Sequence, residues 1–325
     1  GIESQYFLEK NISSFELLDI YGIHRQLTFY GIFRNLLFPM KFINSYFKSR
    51  MLIKKLKPKI IIGTGGYSSG LPLLAAIHLG IPTLIQDQNS IPGLITNKLQ
   101  NKITTICTAY KNFPLKNSMN NIVMTGNPIR SNLIPINRNN AIEKLQLEVN
   151  KKTILILGGS QGSQPINTHI INNINFFLDN NYQIIWQCGE KNYNYIPNSI
   201  INHKSILVNK FFDNMSLIYS AADLTISRAG ALAISELLFM EKAFILIPFQ
   251  YAANQHQDIN ATYIEKENAC IKIKEGELKS GILEKRIYEI LESTEKLEEL
   301  KINASRIKKP NATKEIIEEI EKIIS

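Results

Sequence analysis

The chain has 325 residues, 44% of them hydrophobic and 20% charged, a globular composition that excludes disorder or low complexity as its main theme. At roughly 100–200 residues per domain, this length predicts two domains. The net charge of +9 sits in the first part, because residues 1–135 hold 15 Lys/Arg against 5 Asp/Glu while residues 136–325 hold 22 against 23.

In chain order, the first distinctive stretch is residues 25–59. It carries nine bases (Arg25, Arg34, Lys41, Lys48, Arg50, Lys54, Lys55, Lys57 and Lys59) and no acid. Phe29, Tyr30, Phe33, Phe38, Phe42, Tyr46, Phe47 and several aliphatic residues lie among them. Such a mixture suits a surface that dips into lipid and pairs with anionic headgroups. It equally suits an ordinary helix with a core face and solvated bases. A nucleic-acid groove has no recognition motif to support it.

Beyond this stretch, strands alternate with helix-like segments, which predicts parallel α/β layers. Strands are expected at residues 59–62, 82–85 and 122–125. The polar, Asn-rich stretch from Asn127 to Lys152 then marks a domain boundary near residue 130. A second α/β unit follows, with strands at residues 153–157, 184–186, 224–226 and 243–247, and a charged helix at Ala312–Ile324 closes the chain. Cys107, Cys188 and Cys270 lie far apart with no CxxC pair, which favours reduced thiols in a cytosolic setting over a disulfide framework or a zinc site. No apolar run reaches the 18 or so residues that cross a bilayer.

Several strand ends carry candidate chemistry. Gly158-Gly159-Ser160-Gln161-Gly162 follows a strand and opens a helix, so its backbone N–H groups can meet an anion. Neither a dinucleotide fingerprint nor a Walker loop is matched, and a plain tight turn remains the alternative. Gly63-Thr64-Gly65-Gly66-Tyr67-Ser68-Ser69-Gly70 is a second such turn, in the basic half, with the same two readings. Glu236 follows the small-residue turn Ser227-Arg228-Ala229-Gly230, where a carboxylate suits a ribose diol, or merely caps the helix. The amide-rich loop Phe249–Ala261, with Gln257, suits sugar hydroxyls, and His256 within it reads as a surface residue. D-x-D and HExxH are absent from the sequence, and no His/Asp/Glu cluster suggests a metal.

Six segments in register carry a resemblance: Gly65–Gly70, Gln86-Asp87-Gln88-Asn89, Thr125-Gly126-Asn127-Pro128-Ile129-Arg130, Gly158–Gly162, Arg228–Glu236 and Phe249–Ala261. Together they resemble the MurG family of peptidoglycan N-acetylglucosaminyltransferases, in glycosyltransferase family 28. The resemblance implies an α/β GT-B fold, two Rossmann-like domains with parallel sheets facing across a cleft. Residues 1–130 with helix 312–325 would form the acceptor and membrane domain, and residues 131–311 the UDP-GlcNAc donor domain. The implied reaction transfers GlcNAc from UDP-GlcNAc to lipid I with inversion, giving lipid II, at the cytoplasmic face of the bacterial inner membrane. It needs no cofactor and no metal.

By motif position, the donor would meet Asn89, Arg130, Ser160, the Phe212 backbone, Ala231, Leu232, Ala233, Ile234, Ser235, Glu236 and Gln257. Gly65, Gly66, Tyr67, Ser68 and Gly70 would approach the acceptor diphosphate, and Asp87 and Tyr67 are the catalytic candidates. Implied partners are UDP-GlcNAc, lipid I, an anionic membrane surface through residues 25–59, and cell-wall synthesis proteins; nucleic acid is not among them. Two departures stand out. The family's first strand and its Gly-Gly-Thr-Gly-Gly-His loop have no counterpart before Gly1, which points to a fragment. Asp87 also replaces the family's usual glutamate. Another glycosyltransferase acting on a membrane glycolipid, or an inactive UDP-sugar-binding remnant, are the competing readings.

Overall fold

All strand pairs among the described residues are parallel, and they form two sheets. The computed structural model describes residues 16–18, 36, 38–111, 113–115 and 121–325, so residues 25–35 and 37 of the basic segment lie outside the described residues. In chain order come α1 (Phe38–Leu56), β1 (Ile61–Gly63), α2 (Gly70–His78), β2 (Thr83–Asp87), α3 (Leu94–Leu99), β3 (Thr105–Thr108) and β4 (Asn121–Met124). There follow α4 (Arg138–Lys144), β5 (Thr153–Leu157), α5 (Gln164–Asn172), α6 (Ile174–Asp179), β6 (Gln183–Gln187), α7 (Asn198–Ile201) and β7 (Ile206–Asn209). Then come α8 (Met215–Ala221), β8 (Leu224–Ser227), α9 (Ala231–Phe239), β9 (Ala243–Leu246), α10 (His256–Lys266) and β10 (Ile271–Lys272). The chain ends with α11 (Ile282–Leu291), α12 (Thr294–Ile307) and α13 (Ala312–Ile324).

The contacts divide the chain into two units. One holds residues 1–87, 92–124 and 316–325; the other holds residues 88–91 and 125–315. The first unit is built on the sheet β1-β2-β3-β4. Alternation along β2 and β3 sends Ile85 and Ile106 to one face, with Leu73 and Ile103. Leu84 and Cys107 go to the other, where Ile316 of α13 covers them. Glu319 Oε2 also accepts from Asn121 Nδ2 at 3.3 Å, tying the terminal helix to β4. On α1, the buried face is Ser45, Ser49 and Ile53, and Ile53 packs on Ala75 and Ala76 of α2.

The second unit has strand order β10-β9-β8-β5-β6-β7. All five residues of β5 are buried, as a central strand covered by helices on both faces requires. The order reverses at β5, which pairs with β6 on one side and β8 on the other. In a doubly wound sheet such a reversal opens a crevice at the carboxyl ends of the strands, and Leu157 and Ser227 are the register partners at that end. Arg138 clasps Asp223 with Nε and Nη2 at 2.8 and 2.7 Å, and Asp223 Oδ2 also accepts from Thr153 N at 2.8 Å. This bidentate pair fastens α4 to the starts of β5 and β8.

Lys242, after α9, donates to Ala222 O at 3.1 Å. Burial pushes its ammonium down to about 8, with Lys301 adding to the effect and Asp223 opposing it. Above that pH the folded chain releases a proton that the unfolded chain still holds up to a lysine's ordinary value of about 10.4, so stability rises with pH in this window. Chemical denaturation from pH 7.5 to 9.5 is expected to show this rise, at most about 3 kcal/mol in full. Lys242→Met is expected to flatten the slope.

Candidate functional site

The crevice at the strand reversal of the second unit holds a cavity of about 730 Å³. Its floor is the turn 158–162, which leaves β5 under tight steric control. A Cβ on Gly158 would lie 2.5 Å from Ser163 N, and one on Gly162, where φ is +75°, would lie 2.0 Å from Cys188 O. No side chain fits at either place, so the chain passes close to the end of β6 and enters α5 at Gln164 and Pro165, which line the cavity, while Ile166 N donates to the Ser163 side chain. Ser163 caps α5. Its Oγ accepts from Arg228 Nη2 at 2.6 Å.

Arg228 is 8% exposed. Nη1 donates to Ile247 O and Pro248 O, both at 3.1 Å. The guanidinium pairs with Glu275 and lies 5.5 Å from the centre of the Phe249 ring. A buried cation therefore sits beneath the N-terminus of α5 with every contact fixed. α9 begins at Ala231, with Gly230 as an N-cap lacking a side chain, so its first N–H groups have no side-chain cap. Gly230, Leu232 and Ala233 line the cavity. Two helix N-termini and an arginine thus surround one space, an arrangement suited to a diphosphate.

Glu236 follows one and a half turns into α9 and is 8% exposed. Arg130 Nε donates to its Oε1 at 2.8 Å, and Tyr219 Oη donates to its Oε2 at 2.9 Å. Gln257, near the start of α10, accepts from Phe249 N on Oε1 at 3.0 Å. That bond turns the donor end, Nε2, to other partners, so Gln257 is set up to read an acceptor oxygen.

Arg130, Ser160, Leu232, Ala233, Glu236 and Gln257 all line this cavity. The other expected donor residues stand around it. Ala231 and Ile234 are buried in α9, and Ser235 Oγ donates to Ala231 O and accepts from Asn127 Nδ2, both at 3.0 Å. Asn89 accepts from Asn260 Nδ2 at 3.1 Å. Phe212 is buried, and its N–H donates to Gln187 Oε1 at 3.1 Å, so the residue beside it, Phe211, is the one that lines the cavity.

Sequence reasoning missed Gln187, Phe211, Met215 and Tyr219 in the lining. Gln187 had a signal: it is the amide that ends the apolar run Ile184-Ile185-Trp186 at a strand's carboxyl end. Tyr219 had none, since an aromatic residue on a buried helix face reads as core.

In the first unit, the turn before α2 is held by Ser69 Oγ donating to Gly66 O at 3.0 Å and Gly70 N donating to Tyr67 O at 3.3 Å. Ser68 is exposed and Tyr67 half-buried. Burial pushes the Tyr67 phenol up, keeping it a hydrogen-bond donor. Asp87 is 3% exposed. Its Oδ2 accepts from Gly93 N at 2.8 Å and Thr96 Oγ1 at 2.6 Å, so it shapes the loop into α3. Among the described residues, no group of three or more His, Cys, Asp or Glu side chains is placed to hold a metal ion.

The glycosyltransferase family 28 C-terminal domain matches residues 153–320, and the N-terminal domain of that family matches residues 1–108. A Flavobacterium psychrophilum protein named UDP-N-acetylglucosamine--N-acetylmuramyl-(pentapeptide) pyrophosphoryl-undecaprenol N-acetylglucosamine transferase is 42% identical over 277 residues, 84% of this chain and 74% of its own length. A Bacteroides fragilis protein of the same name is 36% identical over 281 residues, covering 85% and 74%. The crystal structure of MurG from Acinetobacter baumannii aligns with a TM-score of 0.77 at 27% identity, over 99% of this chain and 88% of that one.

Gly162→Ala is expected to destabilise the chain by about 2–4 kcal/mol, from a blocked Cβ and a left-handed backbone together. A lowered thermal midpoint checks this.

Proposed function

This chain belongs to glycosyltransferase family 28, and from that premise we propose that it transfers GlcNAc from UDP-GlcNAc to lipid I, forming lipid II. The observation that carries the reading is one cavity of the second unit, where Arg130, Ser160, Glu236 and Gln257 converge with the starts of α5 and α9. The donor diphosphate takes the N–H groups of the 158–162 turn and of Leu232 and Ala233, with the Ser160 hydroxyl beside them. The ribose diol meets Glu236. The uracil lies toward Phe211 and Met215, within reach of the Phe212 backbone. Gln257 Nε2 donates to a GlcNAc oxygen.

Transfer is a single displacement with inversion. The muramoyl hydroxyl attacks the anomeric carbon and loses its proton to a base, and the bond to the diphosphate breaks. Negative charge then grows on UDP, where two helix N-termini and the buried Arg228 already point. On the acceptor side, the 65–70 turn and the Tyr67 hydroxyl bind the lipid I diphosphate. Asp87 is the candidate base, and its Oδ2 donors, Gly93 N and Thr96 Oγ1, hold that carboxylate in place.

The lipid tail of the acceptor calls for attachment to a membrane, and α1 supplies a surface for it. Met40, Ile43, Phe47 and Met51 are 58%, 52%, 61% and 62% exposed. They recur at helical spacing on one stripe, opposite the buried Ser45 and Ser49. Arg50, Lys54 and Lys55 flank the stripe. A helix with its apolar face outward and bases beside it fits an anionic bilayer surface. Among the described residues, no helix is long and apolar enough to cross a membrane.

The test is transfer of labelled GlcNAc from UDP-GlcNAc to a lipid I analogue. Glu236→Ala is expected to raise KM for UDP-GlcNAc by roughly tenfold or more, the worth of hydrogen bonds to a charged group. Unchanged KM refutes the ribose contact, and no transfer by the unaltered chain with UDP still bound favours an inactive remnant. A Met40→Glu, Phe47→Glu, Met51→Glu triple variant is expected to lose at least about tenfold in sedimentation with phosphatidylglycerol vesicles, given roughly 1.5–3 kcal/mol per buried apolar side chain. Its UDP affinity is expected to be unchanged.

A further inference from the structure

Tyr219 is 1% exposed, yet it belongs to the lining of the donor cavity and its hydroxyl ends on Glu236. An ionised carboxylate offers about four lone-pair sites. Tyr219 Oη takes one on Oε2 and Arg130 Nε takes one on Oε1. One site on each oxygen is left, which matches a vicinal diol in number. A carboxylate without these two donors is free to turn about its last bond, and ordering it costs affinity when ligand arrives.

We propose that Tyr219 is a positioning residue that makes the donor site selective for ribonucleotides, by fixing the Glu236 carboxylate so that both its oxygens face the 2′- and 3′-hydroxyls together. This rests on the reading of Glu236 as the ribose partner. The framework around the two clamps is rigid and shared. α8, which carries Tyr219, is sewn to the segment just after Arg130: Ser216 Oγ donates to Asn132 O and accepts from Ile134 N, both at 2.8 Å, and Ser220 Oγ accepts from Ile136 N at 2.9 Å. Asn214 caps the same helix by accepting from Leu217 N at 3.1 Å. Burial first, then the Glu236 charge, pushes the Tyr219 phenol well above its ordinary range, so it stays a donor at any working pH.

The experiment measures binding of UDP and of 2′-deoxy-UDP by calorimetry to the same sample, so that the ratio does not depend on the folded fraction. The unaltered chain is expected to prefer UDP, and Glu236→Ala to abolish the preference. Tyr219→Phe is expected to shrink the preference about tenfold, the scale of one charge-assisted hydrogen bond. A merely structural role would weaken both ligands alike and leave the ratio intact, which overturns the proposal. Should Tyr219→Phe not fold, Arg130→Met, at a side chain 41% exposed, removes the other clamp and is expected to narrow the ratio too. An intact ratio there also overturns the proposal. If Glu236→Ala itself keeps the preference, the ribose reading fails, and the proposal with it.

Discussion

The close approach of Gly162 to the Cys188 carbonyl is the contact on which the cavity of the second unit depends. It brings the turn after β5 against the end of β6, and a Cβ at Gly162 would lie 2.0 Å from that oxygen. The same carbonyl accepts from Asn167 Nδ2 at 2.8 Å, and Asn167 Oδ1 in turn accepts from Trp186 Nε1 at 3.0 Å. α5 is therefore pinned to β6 from below while its N-terminus faces the cavity.

Around this point the protein buries charges that are paired, which is the condition under which burial is tolerated. Arg228 meets Glu275, two carbonyls and the Ser163 hydroxyl. Glu236 meets Arg130 and Tyr219. These groups need little rearrangement when a charged ligand arrives, and preorganised dipoles and charges of this kind are what stabilise a departing diphosphate.

In α1 the usual amphipathic order is reversed. Ser45 and Ser49 face inward, where Ser49 Oγ donates to Ser45 O at 2.8 Å, so the buried hydroxyl is satisfied within its own helix. Small inward residues let α1 lie close on Ala75 and Ala76 of α2, and the large apolar residues are left on the outer face. Residues 25–59 allow both a lipid-facing surface and an ordinary core-facing helix when read as sequence, and over Phe38–Leu56 the side that packs is the small-residue one.

The sequence by itself determined what local chemistry fixes. Uninterrupted apolar runs such as Thr153–Leu157 announced buried parallel strands, and glycines after them announced tight turns at the strand ends. Ordered motifs named the family. β3 (Thr105–Thr108) and the edge strands β7 and β10 went unread, because short runs with threonine, cysteine or a half-buried pattern carry weak periodicity. The tertiary structure alone decided which amide N–H is already spent, as at Phe212, which carboxylate is held by a loop, as at Asp87, and that Tyr219 is tied to Glu236. Those facts depend on groups far apart in the chain meeting at hydrogen-bond distance, and neither spacing nor propensity along a sequence encodes such a meeting.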